Sequence, residues 1–354
     1  MKKFAVFSGF LGSGKTSTMM ALTHYYTQHH GKAAMITNDL GSKGFADHRL
    51  ALLRGCNASE IAEECICFCH DVLAERLNAS FNDGVELVVS DIPGFGVGAQ
   101  EHVYHGMEAD YPGCYAFAPF TVLAEPRTVT FLREKQGGDL SHILHAQLLE
   151  ADLIVLNKCD VLTDSEREEA ITFLRASYPL SQVIAVSALR GDGLEELSRA
   201  LMQGEASMRH PDIDYEDADL QHAMGELSEY YLQYHASVCC NDFDGNAYLL
   251  ELAKRIQAEV KASDGEIPHL KLLAWAPEGD YGKVDLLGTD RPLEVPHTFA
   301  QPCTDLAVVL NATAACPHQT LDGIITGTVD AVSRQFQLEW VAFRKECFDL
   351  GEEE

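Results

Sequence analysis

Near the N-terminus, Gly9-Phe10-Leu11-Gly12-Ser13-Gly14-Lys15-Thr16 fits the pattern G-x-x-x-x-G-K-[ST], and further on three thiols crowd into Cys65-Ile66-Cys67-Phe68-Cys69. The first pattern is chemistry for phosphate. Gly9, Gly12, Ser13 and Gly14 let the backbone wrap phosphate oxygens and aim N–H groups at them, beside the positive end of a helix dipole. Lys15 would reach the β- and γ-phosphates, and the Thr16 hydroxyl would ligate Mg²⁺. The flanks supply the context that the motif requires, a buried strand at Lys3–Ser8 and a helix at Thr16–His29.

Two later segments select the base. Asn157-Lys158-Cys159-Asp160 follows an apolar run at Leu153–Leu156, at the carboxyl edge where open sheets bind ligands. A carboxylate at Asp160 accepts from both the N1–H and the 2-amino group of guanine, whereas adenine would present it with a lone pair. Ser187-Ala188, after the next strand, offers backbone N–H to the guanine O6. The nucleotide expected is therefore GTP, with GDP as product. Asp91-Ile92-Pro93-Gly94 fits D-x-x-G: Asp91 would hold Mg²⁺ through water and the Gly94 N–H would sense the γ-phosphate. Asn38-Asp39-Leu40-Gly41 is placed like a first switch, where Asp39 would help to hold Mg²⁺ or orient the attacking water, or simply make an Asn-Asp turn.

In an extended segment alternate side chains share a face, so Cys65, Cys67 and Cys69 would converge with a modest bend. Three thiolates favour Zn²⁺, Cu⁺, Co²⁺ or Ni²⁺ over Mg²⁺, and a three-ligand site keeps a fourth position open, which suits transfer. Glu64 and His70 are candidate fourth ligands. A redox dithiol and ordinary core packing are the competing readings of the same thiols. Cys239-Cys240 cannot aim both thiols at one ion from neighbouring strand positions, so one would be buried, and Cys316-Pro317-His318 reads as packing and a helix start rather than a second, weak ligand pair.

These motifs sit in a chain of 354 residues with 26 Lys+Arg against 54 Asp+Glu, a net charge of −28. So acidic a surface counts against nucleic acid and against anionic membrane as partners. An odd number of unevenly spaced cysteines argues for a reducing, cytoplasmic setting rather than a disulfide scaffold. Apolar strands at Lys3–Ser8, Ala33–Thr37, Val85–Asp91, Thr121–Ala124, Leu153–Leu156 and Val183–Val186 alternate with helical patterns, among them Asp71–Phe81, Ser141–Leu149, Ser165–Ala176 and Leu194–Met202. That alternation predicts an α/β fold, a P-loop NTPase parallel sheet with helices on both faces. The expected domains are 1–204, an acidic linker over 205–220, and a smaller C-terminal α+β domain over 221–354.

Taken together, G-F-L-G-S-G-K-T, N-D-L-G, the cysteine cluster and A-D-L-I-V-L-N-K-C-D resemble the CobW-type GTPases, the class that includes the GTPases delivering nickel to urease and hydrogenase. The resemblance covers about Lys3–Met202 and continues more loosely beyond. It implies a GTP-hydrolysing metallochaperone that binds zinc, cobalt or nickel at the cysteines and releases it to a client metalloprotein or cofactor-assembly protein. The chain departs from the family's usual C-x-C-C by inserting Phe68, carries Asp91 where Glu is usual, and lacks a His-rich tract. The alternative expectation is a GTP-dependent regulatory switch for loading or repair of a corrinoid or other metalloenzyme, with a purely structural metal.

Overall fold

A computed structural model describes residues 2–350 apart from Ser42, Phe45, 135–138, Asp212, 215–217, 219–221, 223–224, 226 and 239–240. Cys239-Cys240 and part of the 205–220 stretch thus lie outside the described residues. The chain divides into two compact units, Met1–Ala223 and Met224–Glu354.

The first unit is a seven-stranded sheet of β1 (Lys3–Ser8), β2 (Ala33–Asp39), β3 (Ala58–Ala62), β4 (Leu87–Asp91), β5 (Thr121–Ala124), β6 (Leu153–Leu156) and β7 (Gln182–Ala185). All pairs are parallel, in the order β3-β2-β4-β1-β5-β6-β7. Alternate residues feed two separate cores. Phe4, Val6, Ile36, Val88, Val122 and Ile154 face one side, and Ala5, Phe7, Met35, Val89, Leu123 and Val155 face the other. Burial on both faces is why these strands read as continuous apolar runs.

The helices of this unit are α1 (Lys15–His29), α2 (Ala46–Leu53), α3 (His70–Asn82), α4 (Gly106–Asp110, continuing a π-helical turn at Gln100–His105), α5 (Pro126–Arg133), α6 (Asp139–Glu150), α7 (Asp164–Ser177) and α8 (Leu194–Gln203). Leu73 and Leu77 of α3 and Leu174 of α7 join the first core; Met19, Leu22 and Tyr26 of α1 and Leu197 and Leu201 of α8 join the second. The doubly covered parallel sheet is the fold that the strand–helix alternation predicts. Strand β3, by contrast, was not foreseeable as an apolar run: it is an edge strand in which only Ile61 is buried.

The second unit is an antiparallel sheet of β8 (Ser228–Ser237), β9 (Glu266–Trp275), β10 (Tyr281–Leu286), β11 (Glu294–His297), β12 (Asp305–Ala315) and β13 (Glu339–Asp349), in the order β11-β10-β9-β12-β8-β13. Helices Gly245–Ala262 and His318–Gln335 send Tyr248, Leu252, Ile256, Leu321, Ile325 and Val329 into a core with Tyr230, Leu232, Leu270 and Leu272. This is an α+β unit.

One contact at the centre of the first sheet is testable by itself. Strand β1 bridges Phe117 at Phe4 and pairs with β5 only from Phe7 onward. In the gap, the Val6 N–H donates to the hydroxyl of the buried Tyr104 at 2.9 Å. Tyr104→Phe keeps the ring and strips the acceptor from that amide. A buried donor left without a partner costs about 1–3 kcal/mol. The urea midpoint should fall by that equivalent with an unchanged m-value; an unmoved midpoint would show that the hydroxyl contributes nothing there.

Candidate nucleotide and metal sites

The nucleotide motifs all land at the carboxyl edge of the parallel sheet: Gly9 after β1, Asp39 and Asp91 at the ends of β2 and β4, Asn157 after β6, and Ser187 after β7. The loop leaving β1 is shaped by position-specific glycines. Gly9 has φ +131° and Gly14 φ +92°; an added Cβ would lie 2.4 Å from the Leu123 carbonyl oxygen at the first and 2.3 Å from Asn157 Nδ2 at the second. Helix α1 then opens with Gly14 as its N-cap, no side-chain cap and no acidic residue in its first turn. A helix start of this kind suits an anion. The Ser13 hydroxyl is buried with no partner, and Lys15 Nζ donates to the Gly9 carbonyl at 2.6 Å, across the loop. This cradle fits a phosphate chain.

The residues expected to read the base form one network with that cradle. Asn157 Nδ2 donates to the Ser13 carbonyl (2.9 Å) while its Oδ1 accepts the Ala188 N–H (3.2 Å). Lys158, at φ +58°, pairs with Glu125 at 2.8 Å. The Ser187 hydroxyl donates to Asp160 Oδ1 at 2.6 Å, fixing the plane of the carboxylate. Ser187 therefore orients Asp160 in addition to carrying the loop of Ala188.

Asp91 is buried and accepts the Asn38 N–H at 3.0 Å. Its pKa is pushed up to about 7, first by burial and then by Asp47 and Asp39, against the opposing pull of the Asn38 amide and Lys15. Hard carboxylate oxygens of this kind are chemically suited to a divalent cation. Asp47 had no motif to announce it.

Beyond Asp91, the segment Gly94–Gln100 is held from α6. Gln147 Nε2 donates to the carbonyls of Gly94 (3.1 Å) and Gly96 (2.9 Å), and Glu150 accepts from the amides of Gly98 (2.5 Å) and Gln100 (3.1 Å). Gly94 packs so tightly on the phosphate loop that a Cβ would meet Leu11 Cδ2 at 2.6 Å. Gln147 and Glu150 are buried polar residues on an apolar helix face, a signal present in the sequence but not read there.

The cysteine segment is not extended. It is a turn closed by the Phe68 N–H on the Cys65 carbonyl (2.9 Å), so strand-like alternation does not govern where the thiols point. The Cys65 and Cys67 sulfurs stand 3.0 Å apart, while Cys69, the N-cap of α3, turns its thiol to the Cys65 carbonyl at 3.3 Å. A proton shared with Cys67 lowers the Cys65 thiol, and that same contact together with burial raises Cys67. Burial lifts Cys69 to about 11. The inserted Phe68 is 69% exposed and lies against His102. His70 turns its Nδ1 to Asp110 (2.6 Å) and its Nε2 to the His102 carbonyl (2.8 Å), away from the role of fourth ligand.

Asn38 ties this turn to the nucleotide side. Its Nδ2 donates to the carbonyls of Ile61 (3.2 Å) and Glu64 (2.8 Å), its Oδ1 accepts the Ile66 N–H (3.0 Å), and nearby Gly41 accepts the Glu63 N–H (2.9 Å).

A loop that fits a phosphate chain, with a carboxylate oriented by Ser187 beside it on the edge of a doubly covered parallel sheet, is the layout of a P-loop GTPase. Residues 3–184, more than half of the chain, match the nucleotide-binding domain of CobW, HypB and UreG, and the chain belongs to that family. No curated protein matches the chain by sequence. Among solved structures, nickel-bound HypB from Helicobacter pylori is similar at 15% identity and a TM-score of 0.41, covering 56% of this chain and 85% of its own. Zn(II)-bound YjiA GTPase from E. coli is similar at 15% identity and a TM-score of 0.36, covering 92% and 98%. Among the described residues, no helix is long and apolar enough to cross a membrane.

Glu150 gives this site a pH signature. Burial pushes its carboxyl up to about 7 from an ordinary 4.5, despite the amides of Gly98 and Gln100. Between those values the folded chain holds a proton that the unfolded chain has released. The stability that this confers is fully present below about pH 4.5 and is lost as pH rises through about 7. Glu150→Gln stays neutral throughout, so its urea midpoint should fall less than that of the wild type between pH 5 and pH 8. Parallel profiles would refute the assignment.

Proposed function

We propose that this GTPase is a metallochaperone, taking a transition metal (zinc, cobalt or nickel) at Cys65, Cys67 and Cys69 and passing it to a client metalloprotein or cofactor-assembly protein in step with GTP hydrolysis. The observation that carries this reading is Asn38. Its backbone N–H holds Asp91, at the nucleotide end of β4, and its side chain holds Glu64 and Ile66, which flank Cys65. A change in the charge balance at Asp91 therefore acts on the turn that brings two thiols together. Cys69, on the first turn of α3, supplies a third sulfur once it leaves the Cys65 carbonyl.

In the hydrolytic step, water attacks the γ-phosphorus in line, and the bond to the β–γ bridging oxygen breaks to give GDP and phosphate. Lys15 and the loop amides neutralise and orient the phosphates, and the Gly94 N–H reads the γ-phosphate. Thr16, Asp91 and Asp39 are the residues that would hold Mg²⁺, which supplies charge neutralisation on the β- and γ-oxygens. Asp160, Asn157, Lys158, Ser187 and Ala188 select guanine.

The test is Zn²⁺ and Co²⁺ affinity by chelator competition, with Mg²⁺-GDP and again with a non-hydrolysable GTP analogue. A difference of tenfold or more (about 1.4 kcal/mol of coupling) is expected, abolished by Cys65→Ser/Cys67→Ser. It should shrink in Asn38→Ala, which unlinks the turn from β2. Equal affinity in both nucleotide states would overturn delivery and leave a GTP-dependent switch with a structural metal.

A further inference from the structure

Apart from the thiols, the first unit carries another group of side chains with metal-donor chemistry. Among the described residues, Glu101, His105 and His210 are the one set of three His, Cys, Asp or Glu side chains whose ligand atoms all lie within 4.8 Å of one another. Glu101 and His105 are four residues apart on the π-helical turn that follows the Gly94–Gln100 segment. His210 comes from the stretch beyond α8.

The geometry is specific. His210 Nδ1 lies 2.7 Å from Glu101 Oε2, and His105 Nε2 lies 3.9 Å from the same oxygen. The two imidazole rings are 4.4 Å apart, centroid to centroid. His105 Nε2 is shut off from solvent and has no hydrogen-bond partner. A polar nitrogen in that condition is costly unless something coordinates it. The arm that carries His210 is itself anchored: Ser207 Oγ donates to Asp152 (2.5 Å), and Arg209 donates to the carbonyls of Leu149 (2.9 Å) and Ala151. Two of the three donors thus sit on one helical turn, and the third is delivered by a stretch fixed to the end of α6.

We propose that Glu101, His105 and His210 form a second transition-metal site, of two-imidazole, one-carboxylate composition, suited to Zn²⁺ and to Co²⁺ or Ni²⁺. Nitrogen and oxygen ligands at about 2.0–2.2 Å from a tetrahedral ion stand about 3.4 Å from each other. The ligand atoms here, 2.7 Å and 3.9 Å from the shared carboxylate oxygen and nowhere more than 4.8 Å apart, bracket that spacing. Three protein ligands leave a fourth position, and His210 is exposed. Coordination would join the segment beyond Asp91–Gly94 to the stretch leaving α8. This site does not depend on any metal at the thiols.

The experiment removes the thiols first. In Cys65→Ser/Cys67→Ser/Cys69→Ser, titration of Zn²⁺ against a chromophoric chelator should leave one equivalent bound. The Co²⁺ form should show ligand-field absorption without sulfur-to-metal charge transfer. Adding His210→Gln, on the exposed arm, should weaken that equivalent by at least about tenfold, as should His105→Gln. Retained GTP binding certifies that each variant is folded. Absence of a bound equivalent in the triple-serine chain would overturn the proposal, as would one that is indifferent to both histidine substitutions.

Discussion

Burying the Asp91 carboxylate at the end of β4 is unfavourable, and much of the first unit is arranged around that burial. The Asn38 amide and Lys15 favour its charge, while Asp39 and Asp47 oppose it, and the balance leaves the group reluctant to ionise. An isolated buried anion is disfavoured by several kcal/mol, so the ionised form depends on a cation close by. The sheet order makes this possible: only with β2 beside β4, and β4 beside β1, do the ends of three strands bring Asn38, Asp91 and the phosphate loop together. The same adjacency places β3 outside β2, so the turn that leaves β3 emerges next to Asn38.

What could be read from the sequence was what is encoded locally. The phosphate loop works through consecutive glycines and the start of one helix, and the Asn157–Asp160 and Ser187-Ala188 segments each follow one strand. Strands buried on both faces also announce themselves, being unbroken apolar runs. The contacts that join these parts lie elsewhere in the chain: Asn38 reaches Glu64 and Ile66, and Glu150 reaches back to Gly98 and Gln100. No periodicity predicts such pairs. His210 is the extreme case, read as part of a solvated acidic stretch and found beside Glu101.

The cysteine segment shows a different reason for partial legibility. Its residue types announce soft-metal or redox chemistry, but their geometry depends on backbone conformation. Alternation would gather three thiols on one face of a strand; a turn followed at once by α3 gathers two and hands the third to the helix start. Phe68 lengthens the motif by one residue, and that residue is spent in the turn, with its ring outside against His102.

The strength of the proposed linkage can be weighed against what a nucleotide switch requires. Moving a metal affinity tenfold takes about 1.4 kcal/mol of coupling, and a buried hydrogen bond is worth about 1 kcal/mol net. Asn38 makes three side-chain bonds to the residues around the thiol turn and its own amide bond to Asp91. Altering one or two of these between nucleotide states is therefore enough, with no large movement of the sheet. Gln147 and Glu150 do for Gly94–Gln100 what Asn38 does for the thiol turn: each holds a segment beyond a strand end by side-chain bonds to its backbone. Held this way, both segments can shift by exchanging hydrogen bonds while the apolar cores beneath them stay packed. That separation would let a stable parallel sheet carry the responsive edge that the proposed coupling requires.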